Sequence, residues 1–211
     1  GTKSAPADGE VESLIQIEVP RMPKNKLLEL RQSLTEALEL AHAAVDDFDK
    51  LIKRMKMLKE QIDHKRSEHP ANVEKINFLE WLIDNHFIFL GYRQYDVKHD
   101  KKGATVQVHK GASLGILRNE EASSLSKPTP FKKLASNLQA YLQDDDFLII
   151  TKGLQKSRVH RYADLDYIGL KQFDKTGAVI AEHRFVGLST SKAYNAATES
   201  IPIVRGKIDQ V

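Results

Sequence analysis

The chain has 211 residues, of which 41% are hydrophobic and 29% charged, a balance typical of a soluble globular protein. No apolar run reaches the ~20 residues that span a bilayer, so no membrane association is expected. The absence of cysteine excludes disulfides, thiolate nucleophiles and cysteine-based zinc sites, and it fits a cytoplasmic location. The net charge of +3 gives no reason to propose nucleic acid as a partner.

The first part of the chain predicts one strand and one long helix. Residues 1–12 are small and polar, which indicates disorder or a cloning remnant. Apolar and polar side chains alternate in SLIQIEV at 13–19, the period of a half-buried strand. Because one strand and one helix do not make a domain, residues 13–68 are expected to be the end of a preceding domain.

The long helix is predicted from Lys24 to about Lys65, where apolar residues recur at helical spacing. Asp46 and Asp47 are candidate caps for a second helix, so a kink at this point is an alternative to one continuous helix. The basic residues near the end of the helix alternate with acidic ones. This pattern is typical of a solvated surface and does not indicate a nucleic-acid site.

From residue 72 onward the pattern predicts one α+β domain, with an antiparallel sheet and helices packed on one face. A helix comes first, and HFIFLGYRQYDV and ATVQVHK then form a hairpin. A further helix is expected in PTPFKKLASNLQAYLQ. Four more strands are predicted at 147–153, 157–162, 166–173 and 178–189, and DKTG at 174–177 makes the turn between the last two. This order is that of a PAS-like sensor fold.

Several of these segments resemble the large NAD-specific glutamate dehydrogenases of bacteria. The matching stretches are FLEWLIDNHFIFLGYRQYD, LGILR, ITKGLQKSRVHRYADLDYIGLKQFD and EHRFVGLSTSKAYNAATESIPIVRGKI. The resemblance runs roughly from Ile15 to the end of the chain. It implies the long N-terminal region of such a protein, with residues 13–68 closing an ACT-like domain and residues 72–211 forming a PAS-like domain.

The reaction implied by the resemblance is oxidative deamination of L-glutamate to 2-oxoglutarate and ammonia, with NAD as hydride acceptor. A Rossmann-type NAD site needs a GxGxxG turn, which the chain lacks, and GASLG at 111–115 has the wrong spacing. We therefore expect NAD in the parent enzyme and no cofactor in this segment. The expected partners are other domains of the same polypeptide, further subunits of a homo-oligomer and an amino-acid effector.

Two His-Arg pairs in SRVHRY and AEHRF form the candidate site. Its residues are Arg158, His160, Arg161, Asp166, Tyr167, His183 and Arg184. Strand alternation divides each His-Arg pair between two faces. The DKTG turn predicts that Tyr167 lies opposite Arg184 and that Asp166 is close enough to His183 for an ion pair. Three interpretations stay open, in this order: a structural or interdomain polar network, an effector site and catalysis.

The sequence also offers candidates for a metal site and for a small-molecule pocket. His64 and His69 are five residues apart, which does not place two imidazoles on one helical face, so no metal site is expected there. Phe87, Phe89 and Tyr167 are candidates to line a small-molecule pocket, although aromatic residues in strands usually pack in a core. The three functional hypotheses are a regulatory and assembly segment, a small-molecule sensor and a structural module of an unrelated protein.

Overall fold

The computed structural model of the chain describes residues 14–62, 69–101 and 103–205. The chain divides into two compact units, residues 1–35 and 36–211. The predictions for residues 1–12 and for His64 lie outside the described residues. The assignment of residues 13–68 and 72–211 to two domains stays a prediction.

The described part of the first unit contains no strand. Residues 14–23 form neither helix nor strand, so the strand predicted at 13–19 is wrong over its described part. Leu14, Ile15 and Ile17 are exposed. An alternating segment becomes a strand only when a neighbouring strand pairs with it, and nothing among the described residues does so.

Five helices lie in the described chain. They are α1 Lys24–Asp46, α2 Phe48–Glu60, α3 Pro70–Trp81, α4 Ser136–Gln143 and α5 Ser191–Tyr194. The predicted kink is confirmed, because Asp47 separates α1 from α2. The Asp47 side chain makes no cap hydrogen bond there and is almost fully buried. It accepts hydrogen bonds of 2.9 Å from the Gly115 backbone N–H and from Arg118 Nε.

Seven strands form one antiparallel sheet in the described residues. They are β1 Phe87–Asp100, β2 Gly103–Val108, β3 Leu114–Gly115, β4 Thr129–Pro130, β5 Leu148–Lys156, β6 Asp164–Phe173 and β7 Val179–Ser189. Their order is β4-β2-β1-β7-β6-β5, with β3 paired to β1. The predicted hairpin of β1 with β2 and the hairpin of β6 with β7 are both confirmed.

The predicted strand at 157–162 is wrong. Residues 157–163 form the bent connection between β5 and β6, whose pairing ends at Lys156 opposite Asp164. Ser157 Oγ donates to the Val159 carbonyl at 2.6 Å and accepts from the Val159 N–H at 3.1 Å, and His160 has a φ of 67°. Such local bonds replace the hydrogen bonds of a strand ladder, so alternation in SRVHRY carries no information about faces.

The register of β6 and β7 also differs from the prediction by two residues. Leu170 lies opposite His183 and Gly169 lies opposite Arg184. An irregularity between Gln172 and Phe173 contributes to the shift. Turn type alone does not fix the register beyond such a bulge.

The two faces of the sheet are covered by different parts of the second unit. Face A carries Ile168, Leu170 and Phe185, and the apolar sides of α2 and α3 pack on it. Face B carries Tyr95 and Val97, which pack against α4 and the loops before it. The predicted α+β class, an antiparallel sheet with helices packed on one face, is confirmed, and the short α4 adds cover on the other face.

Candidate functional site

The candidate residues fall into four places, two of which meet at Ser189, where both Asp166 and Arg161 bond. His183 lies on face A near α2, and Asp166 lies on face A at the other end of β6. Tyr167 and Arg184 lie on face B. Arg158, His160 and Arg161 lie in the 157–163 connection. The seven residues do not form one cluster, and the structural or interdomain polar network stays a prediction. Most of its members are held by polar contacts in their own places.

His183 is buried on face A and is held by neutral partners. Its Nδ1 lies 2.8 Å from the Tyr92 hydroxyl, and its Nε2 lies 3.1 Å from the Gln172 side-chain oxygen. Burial, followed by the positive charge of Arg54, lowers the pKa of His183 to about 4. The ring is therefore neutral at pH 7. The expected ion pair with Asp166 is wrong, because Asp166 lies opposite Gly187, four residues further along β7.

A cavity of about 640 Å³ opens beside His183. It lies between the end of α2, the start of α3 and the β6–β7 turn. Its side walls include Gln61, Asn72 and Gln172, and its apolar wall includes Phe147 and Phe173. Its volume is within the range of about 300–1,000 Å³ that is usual for small-molecule sites.

Face B contains a buried ion pair enclosed by tyrosines. Arg184 Nη2 lies 3.2 Å from Glu182 Oε2, and Arg184 Nη1 donates to the Tyr95 hydroxyl at 3.1 Å. The guanidinium lies 4.4 Å from the ring centroid of Tyr95 and 4.9 Å from that of Tyr167. The Tyr167 hydroxyl donates to Glu182. Burial and then the Glu182 charge raise the pKa of Tyr167 well above its usual value.

Asp166 is buried, and both of its carboxylate oxygens are bonded to neighbouring groups. Its Oδ2 accepts from the Ser189 backbone N–H at 3.0 Å and from the Ser189 hydroxyl at 2.9 Å, and its Oδ1 is paired with Lys152. Arg161 Nη2 donates to the Ser189 carbonyl at 2.7 Å. Asp166 and Arg161 therefore fix the end of β7 from two sides.

The other two residues of the connection are exposed. Arg158 Nη1 is paired with Glu36 Oε2 at 2.9 Å, and both side chains are about half exposed. His160 is exposed as well. Both residues lie in the bent connection, outside the ladder between β5 and β6.

The polar groups of these residues are already used by neighbouring side chains and backbone. Glu182 and Asp166 already accept hydrogen bonds from several donors, and His183 uses both ring nitrogens. Among the described residues, no group of three or more His, Asp or Glu side chains is arranged to hold a metal ion. Within the same residues, no helix is both long and apolar enough to span a membrane.

Sequence comparison with known proteins shows which family the chain is similar to. No family model matches the chain. The chain is 34% identical over 207 residues to an NAD-specific glutamate dehydrogenase of Pseudomonas aeruginosa, and the match covers 97% of the chain. It is 32% identical over 211 residues to the protein of the same name from Halomonas elongata, with 95% of the chain covered.

The chain is a segment of the NAD-specific glutamate dehydrogenase family. A Mycobacterium tuberculosis protein of that name is also similar, at 25% identity over 193 residues. The chain spans only 13%, 12% and 11% of the lengths of these three curated relatives. The resemblance of its segments to this family is thus confirmed.

Sequence reasoning missed several residues that organise this segment. Glu182 was overlooked, although its spacing of two from Arg184 within a strand is a direct signal of a same-face ion pair. Tyr92 and Gln172, the partners of His183, carry no such signal because they come from other strands. The aromatic pocket is also wrong as a set, since Phe87 and Phe89 lie in the face A core and Tyr167 lies on face B.

Proposed function

We propose that this chain is a non-catalytic regulatory and assembly segment of a large NAD-specific glutamate dehydrogenase. The parent protein oxidatively deaminates L-glutamate to 2-oxoglutarate and ammonia with NAD. Its NAD site and its glutamate site lie in other parts of the polypeptide, and the assembled enzyme is a cytoplasmic homo-oligomer. The alternative of a module from an unrelated protein is set aside by the family similarity.

The observation that carries this proposal is the apolar surface of the first unit. Large apolar side chains between residues 14 and 35 remain exposed in an amphipathic segment. They are Leu14, Ile15, Ile17, Val19, Leu27, Leu28 and Leu34. A concentration of this kind marks a surface that packs against another part of a protein. Because the chain spans about an eighth of its relatives, the rest of the same polypeptide is the partner that we propose.

The buried polar groups support a role without turnover. The Glu182–Arg184 pair and Asp166 are enclosed and satisfied by neighbouring side chains, which is the arrangement of a structural network. A general base instead needs a free position within hydrogen-bond reach of a substrate proton. The absence of GxGxxG from the sequence points in the same direction.

The test uses the full-length parent enzyme and the isolated chain in parallel. NADH formation from L-glutamate is expected from the full-length enzyme and is expected to be absent with the isolated chain. Reduction of NAD by the isolated chain would overturn the proposal.

The assembly role is tested with Leu28→Asp and Leu34→Asp in the full-length enzyme. Burying a carboxylate in an apolar contact is costly, so we expect loss of the native oligomer in size-exclusion chromatography with light scattering. Lys26→Asp, an exposed position on the other side of the same helix, is the matched control. An unchanged oligomer and unchanged activity in both leucine variants would contradict the assembly role.

A second candidate is a small-molecule sensor, which the cavity beside His183 favours. In this version a metabolite binds the segment and changes the activity of the distant catalytic part. The effector expected from the sequence is an amino acid or another metabolite. A ligand present at 100 times its dissociation constant would stabilise the segment by about 2.7 kcal/mol, which thermal unfolding measures directly.

A further inference from the structure

Three carboxamides line the cavity beside His183. Gln61 comes from the end of α2, Asn72 from the first turn of α3 and Gln172 from β6. The amides of Gln61 and Asn72 have no hydrogen-bond partner within the described ranges, and Gln172 uses only its oxygen, toward His183. One exposed amide is ordinary. Three of them from separate elements, around one cavity with a buried apolar wall, form a set of unused donors and acceptors.

The charged groups of the cavity wall are mostly occupied elsewhere. Asp174 accepts from the Thr176 N–H at 2.8 Å and from the Thr176 hydroxyl at 2.6 Å within its own turn. Lys171 Nζ points to face B, where it donates to the Tyr141 carbonyl at 2.7 Å. Lys175 is the charged side chain of this wall that has no partner in the described chain.

The start of α3 also lacks free donors for an anion. Its first residue is Pro70, which has no N–H. The Ala71 N–H is bound by His69 Nδ1, and the N–H groups of Asn72 and Val73 bond to the His69 carbonyl at 2.8 and 3.1 Å. The positive end of this helix is therefore already satisfied by the protein.

These contacts argue against a free α-amino acid in this cavity. Its carboxylate and ammonium groups would each need a charged or strongly polar partner when they leave water. The only acidic side chain of the described wall is Asp174, which is held by its turn, and His183 is neutral. An uncharged ligand with hydrogen-bonding edges fits the wall better.

We propose that the cavity binds the adenine base of a nucleoside or nucleotide. A carboxamide presents one donor and one acceptor side by side, the pattern that pairs with N6 and N7 of adenine. Aromatic side chains stack on nucleobases, and the Phe147 and Phe173 rings lie in the same wall. This assignment rests on the proposed regulatory function and specifies the ligand that a sensor role would use.

Lys175 distinguishes the two ligands that carry this base, a nucleoside and a nucleotide. A nucleoside uses only the neutral wall, whereas a nucleotide also carries a phosphate that an unpaired ammonium attracts. Adenosine and AMP are therefore compared on the chain and on Lys175→Ala. Tighter binding of AMP that is lost in this variant assigns a nucleotide, and equal affinities assign a nucleoside.

The experiment is an amide chemical-shift titration of the ¹⁵N-labelled 211-residue chain. Adenosine is expected to bind with a dissociation constant on the order of 0.1 mM. The shifts should concentrate at residues 58–62, 69–73 and 170–177. Asn72→Ala and Gln172→Ala should each weaken binding about five-fold, the loss of one hydrogen bond between uncharged groups. Asn195→Ala and Gln155→Ala, both exposed and outside the cavity wall, are the matched controls.

Four results would overturn the adenine assignment. They are no shift with millimolar adenosine, shifts outside the cavity wall, equal binding of guanosine, and an unchanged affinity in both cavity variants. L-Glutamate and L-aspartate are titrated as well, and cavity shifts with either would also contradict it. None of these results depends on NAD reduction or on oligomer assembly. A failure here therefore leaves the proposed regulatory and assembly function standing.

Discussion

Alternate residues of β7 enter two different environments. On face A, His183 is neutral and lies between Tyr92, Gln172 and an open cavity. On face B, Glu182 and Arg184 form a charged pair enclosed by tyrosines. One short strand therefore supplies an enclosed ion pair on one side and a residue beside a cavity on the other. Glu182 on face B accepts hydrogen bonds from Tyr167 and Arg184, whereas the cavity beside face A is lined by carboxamides.

The largest effect is expected from breaking the ion pair on face B. Glu182→Ala leaves Arg184 without its counter-charge and the Tyr167 hydroxyl without an acceptor, so we expect about 4 kcal/mol of lost unfolding free energy. Urea denaturation followed by circular dichroism measures it. Glu182→Gln, which keeps an acceptor, should lose less. Glu121→Ala at an exposed position is the control, and a loss under 1 kcal/mol at Glu182 would disprove an essential pair.

A pH-dependent effect is expected from His183 on face A. The folded pKa of about 4 lies below the unfolded value of 6.5, so the unfolded chain takes up the proton first. The contribution of neutral His183 to the free energy of unfolding is about 3 kcal/mol. It is complete above pH 6.5 and is lost as the pH falls toward 4. His183→Gln should remove this part of the pH profile, and His160→Gln should leave it intact. Parallel profiles for wild type and His183→Gln would refute the buried neutral histidine.

An intermediate effect is expected at Asp166, which shares face A with His183 but lies at the other end of β6. Asp166→Ala removes the acceptor for the Ser189 N–H and hydroxyl, at a cost of about 2 kcal/mol in unfolding free energy. Asp164→Ala, which breaks an exposed pair with Lys156, is the control. If Asp166→Ala kept the melting temperature and abolished an effector response in the full-length enzyme, Asp166 would belong to a binding site instead.

The smallest effect is expected at the exposed connection. Arg158→Ala breaks a pair with Glu36 in which both side chains are about half exposed, so we expect about 0.3 kcal/mol. A double-mutant cycle with Glu36→Ala isolates the pair energy. A coupling above 1 kcal/mol would show that Arg158 has a larger role than a solvated ion pair.

Much of the fold was predictable because its signals are local. The β1–β2 and β6–β7 hairpins follow from alternation and from turn residues close in sequence. The break at Asp47 was also visible as a candidate cap. The strand at 13–19 was wrong, because alternation describes the segment and not its partner. The strand predicted at 157–162 was wrong because Ser157 bonds to Val159, two residues away, and not to a neighbouring strand.

The site was less predictable, because its partners come from distant strands and helices. The division of His183 and Arg184 between two faces follows from alternation in β7 and is confirmed. The pairing of Asp166 with His183 failed because the register is shifted by two residues, and an irregularity near Phe173 contributes to this shift. Such an irregularity depends on how the whole strand packs, and a turn sequence does not reveal it.

By itself, the sequence determined the α+β class, the hairpins, the family and the opposite faces of neighbouring β7 residues. Periodicity and turn chemistry act over a few residues, so they can be read without a structure. Only the tertiary structure decided that Tyr92 and Gln172 hold His183, that tyrosines enclose Arg184, and that three carboxamides meet around a cavity. Those contacts depend on register and helix packing, which bring together side chains far apart in the chain.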